Sequence, residues 1–97
     1  MAKKEVCIGI DLGTTFSCGA YYESDGNVHV LINENGNRIT ASYISFQGTE
    51  RCVGDTAKKN CGQNPKNTVY DVKRLMGNKY TDPFVQSDLK HFSYNLR

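Results

Sequence analysis

The stretch that decides the fold lies near the start of the chain: Val6-Cys7-Ile8-Gly9-Ile10-Asp11-Leu12-Gly13-Thr14-Thr15. Its first five residues form an almost continuous apolar run with β-branched side chains, which predicts a strand covered on both faces. The run stops at Asp11, where a carboxylate would be costly in a buried setting unless a cation meets it. A short polar turn follows and contains one glycine and two threonines. The end of this strand is therefore a candidate site.

Alternating apolar residues predict two more strands after this turn. The first runs from Phe16 to Tyr22, and the second contains Val28, Val30 and Ile32. Asp25-Gly26 lies between them and is a strong hairpin signal. The three strands together predict an antiparallel sheet.

The second half of the chain predicts short strands and two short helices. Strands are expected over 42–46 and 51–53, and Asp55 is expected to cap a helix that ends near Asn60. Thr68 and Asp71 have the spacing of a capping box. They predict a second helix that ends at Gly77, with an apolar stripe made of Val69, Val72, Leu75 and Met76. The pattern from residue 78 to 97 is irregular and is broken by Asp82-Pro83.

Two features of these segments suggest phosphate chemistry. Gly13 lets the backbone approach a ligand closely, and turn amides and threonine hydroxyls can donate to phosphate oxygens. A Mg²⁺ ion bridging Asp11 and those phosphates would also offset the buried charge. Lys73 lies beside the apolar stripe of the second helix and could point into a cleft. From the residues alone, the favoured interpretation of Asp11 is a carboxylate that caps turn amides, and that of Lys73 is a solvated helix lysine.

Composition narrows the possible functions. The chain has 97 residues and a formal charge of +2, with its charges scattered, so neither a nucleic-acid nor a membrane partner is expected. The start lacks the apolar stretch of a secretory signal, which predicts a cytoplasmic location. The four cysteines lack metal-site spacing and are expected to be structural or incidental. His29 and His91 are expected to stand apart from acidic and cysteine clusters, so neither predicts a metal site.

Taken together, the chain resembles the N-terminal part of the seventy-kilodalton heat-shock proteins. The resemblance extends over nearly the whole chain from Val6 onward. Five segments match in order: Ile8 to Cys18 (IGIDLGTTFSC), Gly36 to Tyr43 (GNRITASY), Val53 to Lys58 (VGDTAK), Asn64 to Gly77 (NPKNTVYDVKRLMG) and Asp82 to Phe92 (DPFVQSDLKHF). The Asp-x-Gly-Thr-Thr loop alone would be a weak signal, because sugar kinases of the same superfamily use a similar loop.

The resemblance implies an α/β, actin-like (ribonuclease-H-like) ATPase fold, of which residues 1–97 would be the first part of the first lobe. Residues 1–37 would form the three-strand sheet with the first phosphate loop. Residues 38–97 would begin the adjoining subdomain, with the helix that carries Lys73.

The resemblance also implies a chemistry. Asp11 would organise Mg²⁺ through water, and Gly13, Thr14, Thr15 and Phe16 would form the loop that holds the phosphates of ATP or ADP. Lys73 would reach the γ-phosphate and the attacking water. The intact protein would be an ATP-dependent chaperone that binds unfolded polypeptides and co-chaperones. The isolated chain would be inactive and would self-associate.

Three positions depart from the family pattern. Phe16 stands where the family commonly has tyrosine, Ala41 replaces the usual proline, and the hairpin turn 23–27 is slightly long. Two alternatives also stay open from the sequence. One is a sugar-kinase-like member of the superfamily, and the other is a short non-catalytic module that acts by association.

Overall fold

Two small antiparallel sheets and two short helices make up the computed structural model, which describes residues 6–96. The strands are β1 (Ile8–Leu12), β2 (Phe16–Tyr22), β3 (Val28–Val30), β4 (Thr40–Ala41), β5 (Tyr43–Gln47), β6 (Glu50–Val53) and β7 (Thr68–Tyr70). The α-helices are α1 (Asp55–Asn60) and α2 (Pro83–Asp88), and single 3-10 turns occupy Pro65–Asn67, Val72–Arg74 and Leu89–His91. Both α-helices have six residues, and no helix in the described range is long and apolar enough to cross a membrane.

The first sheet has the order β1-β2-β3, with β4 paired to the start of β2. This confirms the predicted antiparallel hairpins, but β3 ends at Val30 and does not include Ile32, which was expected in this strand. The turn between β2 and β3 closes where the Gly26 amide donates to the Glu23 carbonyl at 3.0 Å. Gly26 has a φ of +85°, a conformation that glycine adopts at no steric cost.

The prediction that the first strand is covered on both faces is wrong. The strand lies two residues later than expected, over Ile8–Leu12, and every one of its residues is exposed. Ile10 has 75% of its surface accessible. The reason is that β1 lies at the edge of its sheet, while α1 packs on the strands of the second sheet and α2 on the 3-10 turn that follows it.

The second sheet has the order β6-β5-β7, and helix α1 packs against it through the buried Ala57. The bounds predicted for α1 are confirmed, but its predicted cap is wrong. Gly54 is the N-cap, and no side chain among residues 6–96 caps this helix. The Asp55 carboxylate instead accepts hydrogen bonds from Asn37 Nδ2 at 2.8 Å and from the Ala41 amide at 3.3 Å.

The predicted second helix, the one expected to carry Lys73, is also wrong. Thr68–Tyr70 forms β7, which pairs with residues 43–45 of β5. Asp71 then adopts the left-handed conformation, with a φ of 54°, and a single 3-10 turn follows over Val72–Arg74. Helical spacing of apolar residues is a weak signal here, because pairing with a neighbouring strand overrides local propensity.

Helix α2 lies in the segment expected to be irregular, so that expectation is wrong. Asp82 is its N-cap and accepts a hydrogen bond from the Phe84 amide at 2.9 Å. Pro83 occupies the first helical turn, where its missing amide costs nothing. The Asp-Pro pair therefore starts a helix in this chain and does not break the structure.

The core of the described residues is small. The buried apolar residues are Ala41, Ala57, Val85 and Tyr94. An aromatic cluster adds to it, in which Tyr70 contacts Tyr43, Phe92 and Tyr94 with ring centroids 5.2 to 6.0 Å apart. The radius of gyration is 16.9 Å, whereas a compact domain of this length has about 12–13 Å. The chain is therefore elongated, with extents of 52 × 29 × 22 Å.

Candidate phosphate-binding site

The tight turn between β1 and β2 requires a glycine at its first position. The strands pair up to Leu12 and Ser17, so the chain must reverse direction within residues 13–16. A Cβ atom at Gly13 would lie 2.0 Å from the Phe16 carbonyl oxygen. Real Cβ atoms essentially never show contacts that short. A close contact within the turn itself therefore requires glycine at this position, and the predicted close approach of this backbone to a ligand stays a prediction.

Ser42 holds this turn from the second half of the chain. Its hydroxyl donates to the Gly13 carbonyl at 2.9 Å, and its amide donates to the Thr15 carbonyl at 2.9 Å. Because a serine hydroxyl has one proton, the Ser17 hydroxyl must then donate to Ser42 Oγ, which lies 2.9 Å away. These bonds draw two carbonyl oxygens of the turn toward Ser42.

Sequence reasoning missed Ser42 as a residue that positions the turn. The only available signal was its place in the matching segment 36–43, directly after the replaced proline position. Its role depends on contacts across 25 to 29 residues of chain, which no local pattern reveals.

Lys73 reaches the same turn from a distant part of the chain. Its Nζ donates to the Leu12 carbonyl at 2.8 Å, across 61 residues. The left-handed Asp71 and the 3-10 turn that follows it carry Lys73 back toward the first sheet. The structure therefore places a cation beside the predicted phosphate loop, although the expected helix does not form.

A cavity of about 210 Å³ lies between the turn and the Lys73 segment. Three of the sequence-predicted site residues line it: Gly13, Thr14 and Lys73. The rest of its wall is mainly apolar and consists of Leu12, Ser42, Ile44, Val69, Val72 and Met76. Asp11, Thr15 and Phe16 do not line it.

Asp11 lies inside strand β1, opposite Cys18, and is exposed. The expected burial cost of its carboxylate therefore disappears, and with it the argument that a cation must meet it. Within residues 6–96, no ion pair includes Asp11. An exposed carboxylate still offers the oxygen ligands that Mg²⁺ prefers, with water filling the remaining positions.

Phe16 contributes to the site through its backbone. Its carbonyl is the group that excludes a side chain at Gly13. Its ring is 40% exposed and lies 5.0 Å from the Lys58 ammonium, in a cation–π contact. Replacement of the family's common tyrosine at this position leaves both contacts in place.

One expectation about the histidines is wrong. His29 does not stand apart from acidic residues, because its Nε2 lies 3.3 Å from Glu23 Oε2 and 3.3 Å from Asp25 Oδ2. The three residues are close in the chain, but the hairpin is what brings their side chains together. His91 is exposed, and its backbone carbonyl accepts a hydrogen bond from the Tyr70 hydroxyl at 3.4 Å.

Sequence comparisons with known proteins assign this chain to a family. The Hsp70 protein family matches residues 7–97. A human protein named "Putative heat shock 70 kDa protein 7" is 50% identical over 95 residues, which are 98% of this chain and 26% of that protein. "Heat shock 70 kDa protein 2" of Paracoccidioides lutzii is 51% identical over 92% of this chain and 14% of its own length. A ribosome-associated molecular chaperone of Saccharomyces cerevisiae is 49% identical over the same shares.

The antiparallel sheets, the glycine turn and the lysine beside it are features of a partial lobe of an actin-like ATPase domain. The chain belongs to the Hsp70 protein family. It spans about a quarter or less of the length of the relatives named above. Membership in this family confirms the fold class implied by the five ordered segments and argues against the sugar-kinase alternative.

Proposed function

We propose that the protein containing these residues is an ATP-dependent molecular chaperone. In this proposal ATP hydrolysis controls the binding of unfolded polypeptides and is regulated by co-chaperones. Membership in the Hsp70 family supports the proposal, and so does the similarity to the yeast relative, which is named a ribosome-associated molecular chaperone. The cytoplasmic location expected from the sequence belongs to the same proposal.

The observation that carries the proposal is the contact between Lys73 Nζ and the Leu12 carbonyl. It joins the two halves of the candidate site, the glycine turn and the cationic segment, in one place. Phosphoryl transfer depends mostly on positioning and on neutralising charge, so a fixed cation beside a phosphate loop is the part that such chemistry needs.

Each site residue then has a distinct task. The backbone of Gly13 and Phe16 and the hydroxyls of Thr14 and Thr15 would hold the phosphates. Lys73 would exchange its contact with the Leu12 carbonyl for the γ-phosphate and would orient the attacking water. An ammonium that already lies at this turn needs little movement to do so.

Asp11 would hold Mg²⁺ through water at the exposed edge of β1. The ion would supply charge neutralisation to the phosphate oxygens. Because Asp11 is exposed, it would keep its hydration and bind the ion loosely until the phosphates arrive. ATP, ADP and Mg²⁺ are thus the ligands that we assign to this site.

A segment graft tests the proposal. Residues 6–96 would replace the aligned segment of the yeast relative, and the parent protein would be measured beside it. We expect the graft to hydrolyse ATP in the presence of Mg²⁺. Lys73→Ala in the graft should lower turnover by several kcal/mol of transition-state stabilisation, roughly 10²–10³-fold, while nucleotide affinity changes far less.

Lys66→Ala is the matched control, because Lys66 is also an exposed lysine in a 3-10 turn beside β7. It should leave both turnover and affinity unchanged. A graft that binds ATP normally but keeps full turnover without Lys73 would contradict the proposed role of this lysine. A correctly folded graft that binds no nucleotide would contradict the proposed site as a whole.

The 97-residue chain alone should show no ATP turnover above background. Among the described residues, the candidate site consists of one turn with Lys73 beside it, and its cavity of about 210 Å³ is too small to enclose a nucleotide. Steady Mg²⁺-dependent hydrolysis that is lost in Asp11→Ala would contradict this expectation. The measurement is phosphate release from the purified chain.

The remaining alternative, a non-catalytic association module, also has support in the structure. Strand β1 is an unpaired sheet edge with exposed apolar side chains. This alternative predicts no activity in the graft but specific pairing of the chain with a partner. The graft experiment therefore separates the two functions.

A further inference from the structure

A cluster of three potential metal ligands lies at the tip of the β2–β3 hairpin. Glu23 follows the end of β2, Asp25 is in the turn, and His29 is in β3. The ligand atoms of the three side chains all lie within 4.8 Å of one another. The imidazole is the common member, because its Nε2 lies 3.3 Å from a carboxylate oxygen of each acidic residue.

The hairpin fixes the orientation of two of these ligands. Asp25 Oδ1 accepts a hydrogen bond from the Asn27 amide at 2.8 Å, which leaves Oδ2 facing the histidine. The His29 ring stacks on Tyr21, its cross-strand partner, with ring centroids 5.2 Å apart and planes 23° from parallel. This stacking holds Nε2 toward the tip of the hairpin.

The spacing of the ligand atoms fits a small tetrahedral ion. Zinc binds histidine nitrogen at about 2.0–2.1 Å and carboxylate oxygen at about 2.0–2.2 Å, so two ligands of a tetrahedral site lie roughly 3.3–3.5 Å apart. Both distances from His29 Nε2 are 3.3 Å. The cluster therefore has two edges of a zinc tetrahedron before any ion binds, and a small rotation of the exposed Glu23 side chain would supply the third.

We propose that Glu23, Asp25 and His29 form a Zn²⁺ site, with solvent as the fourth ligand. An imidazole ligand favours zinc and similar transition ions over Mg²⁺ and Ca²⁺, which prefer oxygen donors alone. The ion would occupy the position of the Nε2 proton, which leaves to solvent or is carried on Nδ1. The two carboxylates would balance the charge of the ion.

This site is separate from the candidate phosphate site. The candidate phosphate turn, residues 13–16, reaches only the first residue of β2, whereas Glu23 and Asp25 follow its last residue, Tyr22. The seven residues of this strand extend over roughly 20 Å. A bound ion would tie the end of β2 to β3 and would stabilise the hairpin without contacting the phosphate turn.

Titration of the purified chain with Zn²⁺ alone, followed by calorimetry, tests the proposal. We expect one saturable site, and His29→Ala should weaken binding at least tenfold. Asp25→Asn should also weaken binding while keeping the turn, because the amide oxygen can still accept the Asn27 hydrogen bond. His91→Ala is the matched control, since this exposed histidine lies outside the cluster, and it should bind Zn²⁺ like the unaltered chain.

The four cysteines are free thiols and could also bind zinc. A second metal ion is therefore needed to distinguish binding by thiolates from binding by the hairpin cluster. Co²⁺ bound by thiolates gives an intense charge-transfer absorption that nitrogen and oxygen ligands do not give. We expect Co²⁺ to bind without this absorption. Binding that survives His29→Ala, Asp25→Asn and Glu23→Gln, a thiolate absorption, or the lack of any saturable site would each overturn the proposal. Circular dichroism of each variant verifies that the sheet is intact.

Discussion

Gly13 is the residue at which the phosphate turn is most sensitive to substitution. Because an added Cβ would lie 2.0 Å from the Phe16 carbonyl, Gly13→Ala must shift the backbone of the turn. We expect a loss of unfolding free energy on the order of 1–3 kcal/mol, the usual cost of a strained backbone position. Urea unfolding of the purified chain measures this loss.

Gly9→Ala, in the strand that precedes the turn, supplies the control. Its added Cβ would meet its nearest neighbour, the Ala20 carbonyl, at 3.8 Å, which is ordinary contact. The change in unfolding free energy should stay within about 1 kcal/mol of zero, because a compatible alanine mainly restricts the unfolded chain. Equal losses in the two variants would show that the turn has room for a side chain.

Asp55 predicts an acid-dependent loss of stability. The hydrogen bond from Asn37, and secondly that from the Ala41 amide, lower the pKa of Asp55 below its ordinary value of 3.8. A lowered pKa in the folded chain means that the stabilisation is complete above pH 3.8 and is lost as the pH falls below it. Asp55→Asn should therefore have a lower unfolding free energy than the unaltered chain at neutral pH. This difference in unfolding free energy should become smaller below pH 3.8.

Urea midpoints measured from about pH 7 down to about pH 2.5 check this expectation. Asp88→Asn is a suitable comparison, since Asp88 lies at the end of α2, away from the Asn37 contact. The difference in unfolding free energy between Asp55→Asn and the unaltered chain could instead stay constant throughout the acid range. That result would show that the Asp55 carboxylate does not stabilise the fold.

At the scale of elements, the aromatic cluster around Tyr94 predicts a loss of stability at alkaline pH. The Tyr94 hydroxyl donates to the Tyr70 carbonyl, and burial raises the pKa of Tyr94 to about 12. The folded chain then keeps this proton longer than the unfolded chain. The associated stability is complete below pH 10 and is lost as the pH rises toward 12.

Tyr94→Phe should cost about 1 kcal/mol at neutral pH, because one hydrogen bond is lost. The difference in unfolding free energy between Tyr94→Phe and the unaltered chain should become smaller above pH 10, which is the ordinary pKa of tyrosine. Tyr22→Phe is the control, since Tyr22 is 67% exposed. If this difference in unfolding free energy does not change with pH, the Tyr94 hydroxyl does not stabilise the fold as proposed.

The elements that could be predicted from the sequence are those that local signals determine. The β2–β3 hairpin follows from alternation and a turn dipeptide. The bounds of α1 could be predicted as well, although Asp55, the cap on which that prediction rested, is not the N-cap. β7 could not be predicted in this way, because its three residues become a strand only by pairing with β5. Lys73 could be chosen as a candidate from the family resemblance. Its position, however, depends on Asp71, a non-glycine residue whose positive φ no sequence pattern predicts.

At the scale of the whole molecule, strand β1 predicts self-association. Ile8, Ile10 and Leu12 project from one face of the strand and are 58%, 75% and 51% exposed. Soluble monomers rarely expose contiguous apolar patches of this kind. We propose that the isolated chain associates through this face and edge, and that its mass in sedimentation experiments rises with concentration.

Ile10→Lys should shift the chain toward the monomer, because a charge in the middle of the apolar face opposes its burial. Phe84→Lys is the control, since Phe84 is 80% exposed on α2, outside the first sheet. A monodisperse monomer with a cooperative melt at high temperature would contradict this proposal.

The hydrogen bond between Lys73 and Leu12 also has a consequence for folding during translation, because its two partners are synthesised at different times. Translation adds about 5–20 residues per second, so the 61 residues between the two partners take roughly 3–12 s to make. A β-hairpin closes in about 1–10 μs. The glycine turn therefore emerges and can fold seconds before its lysine has been synthesised. During that interval the turn lacks the ammonium to which its Leu12 carbonyl is hydrogen-bonded in the folded chain.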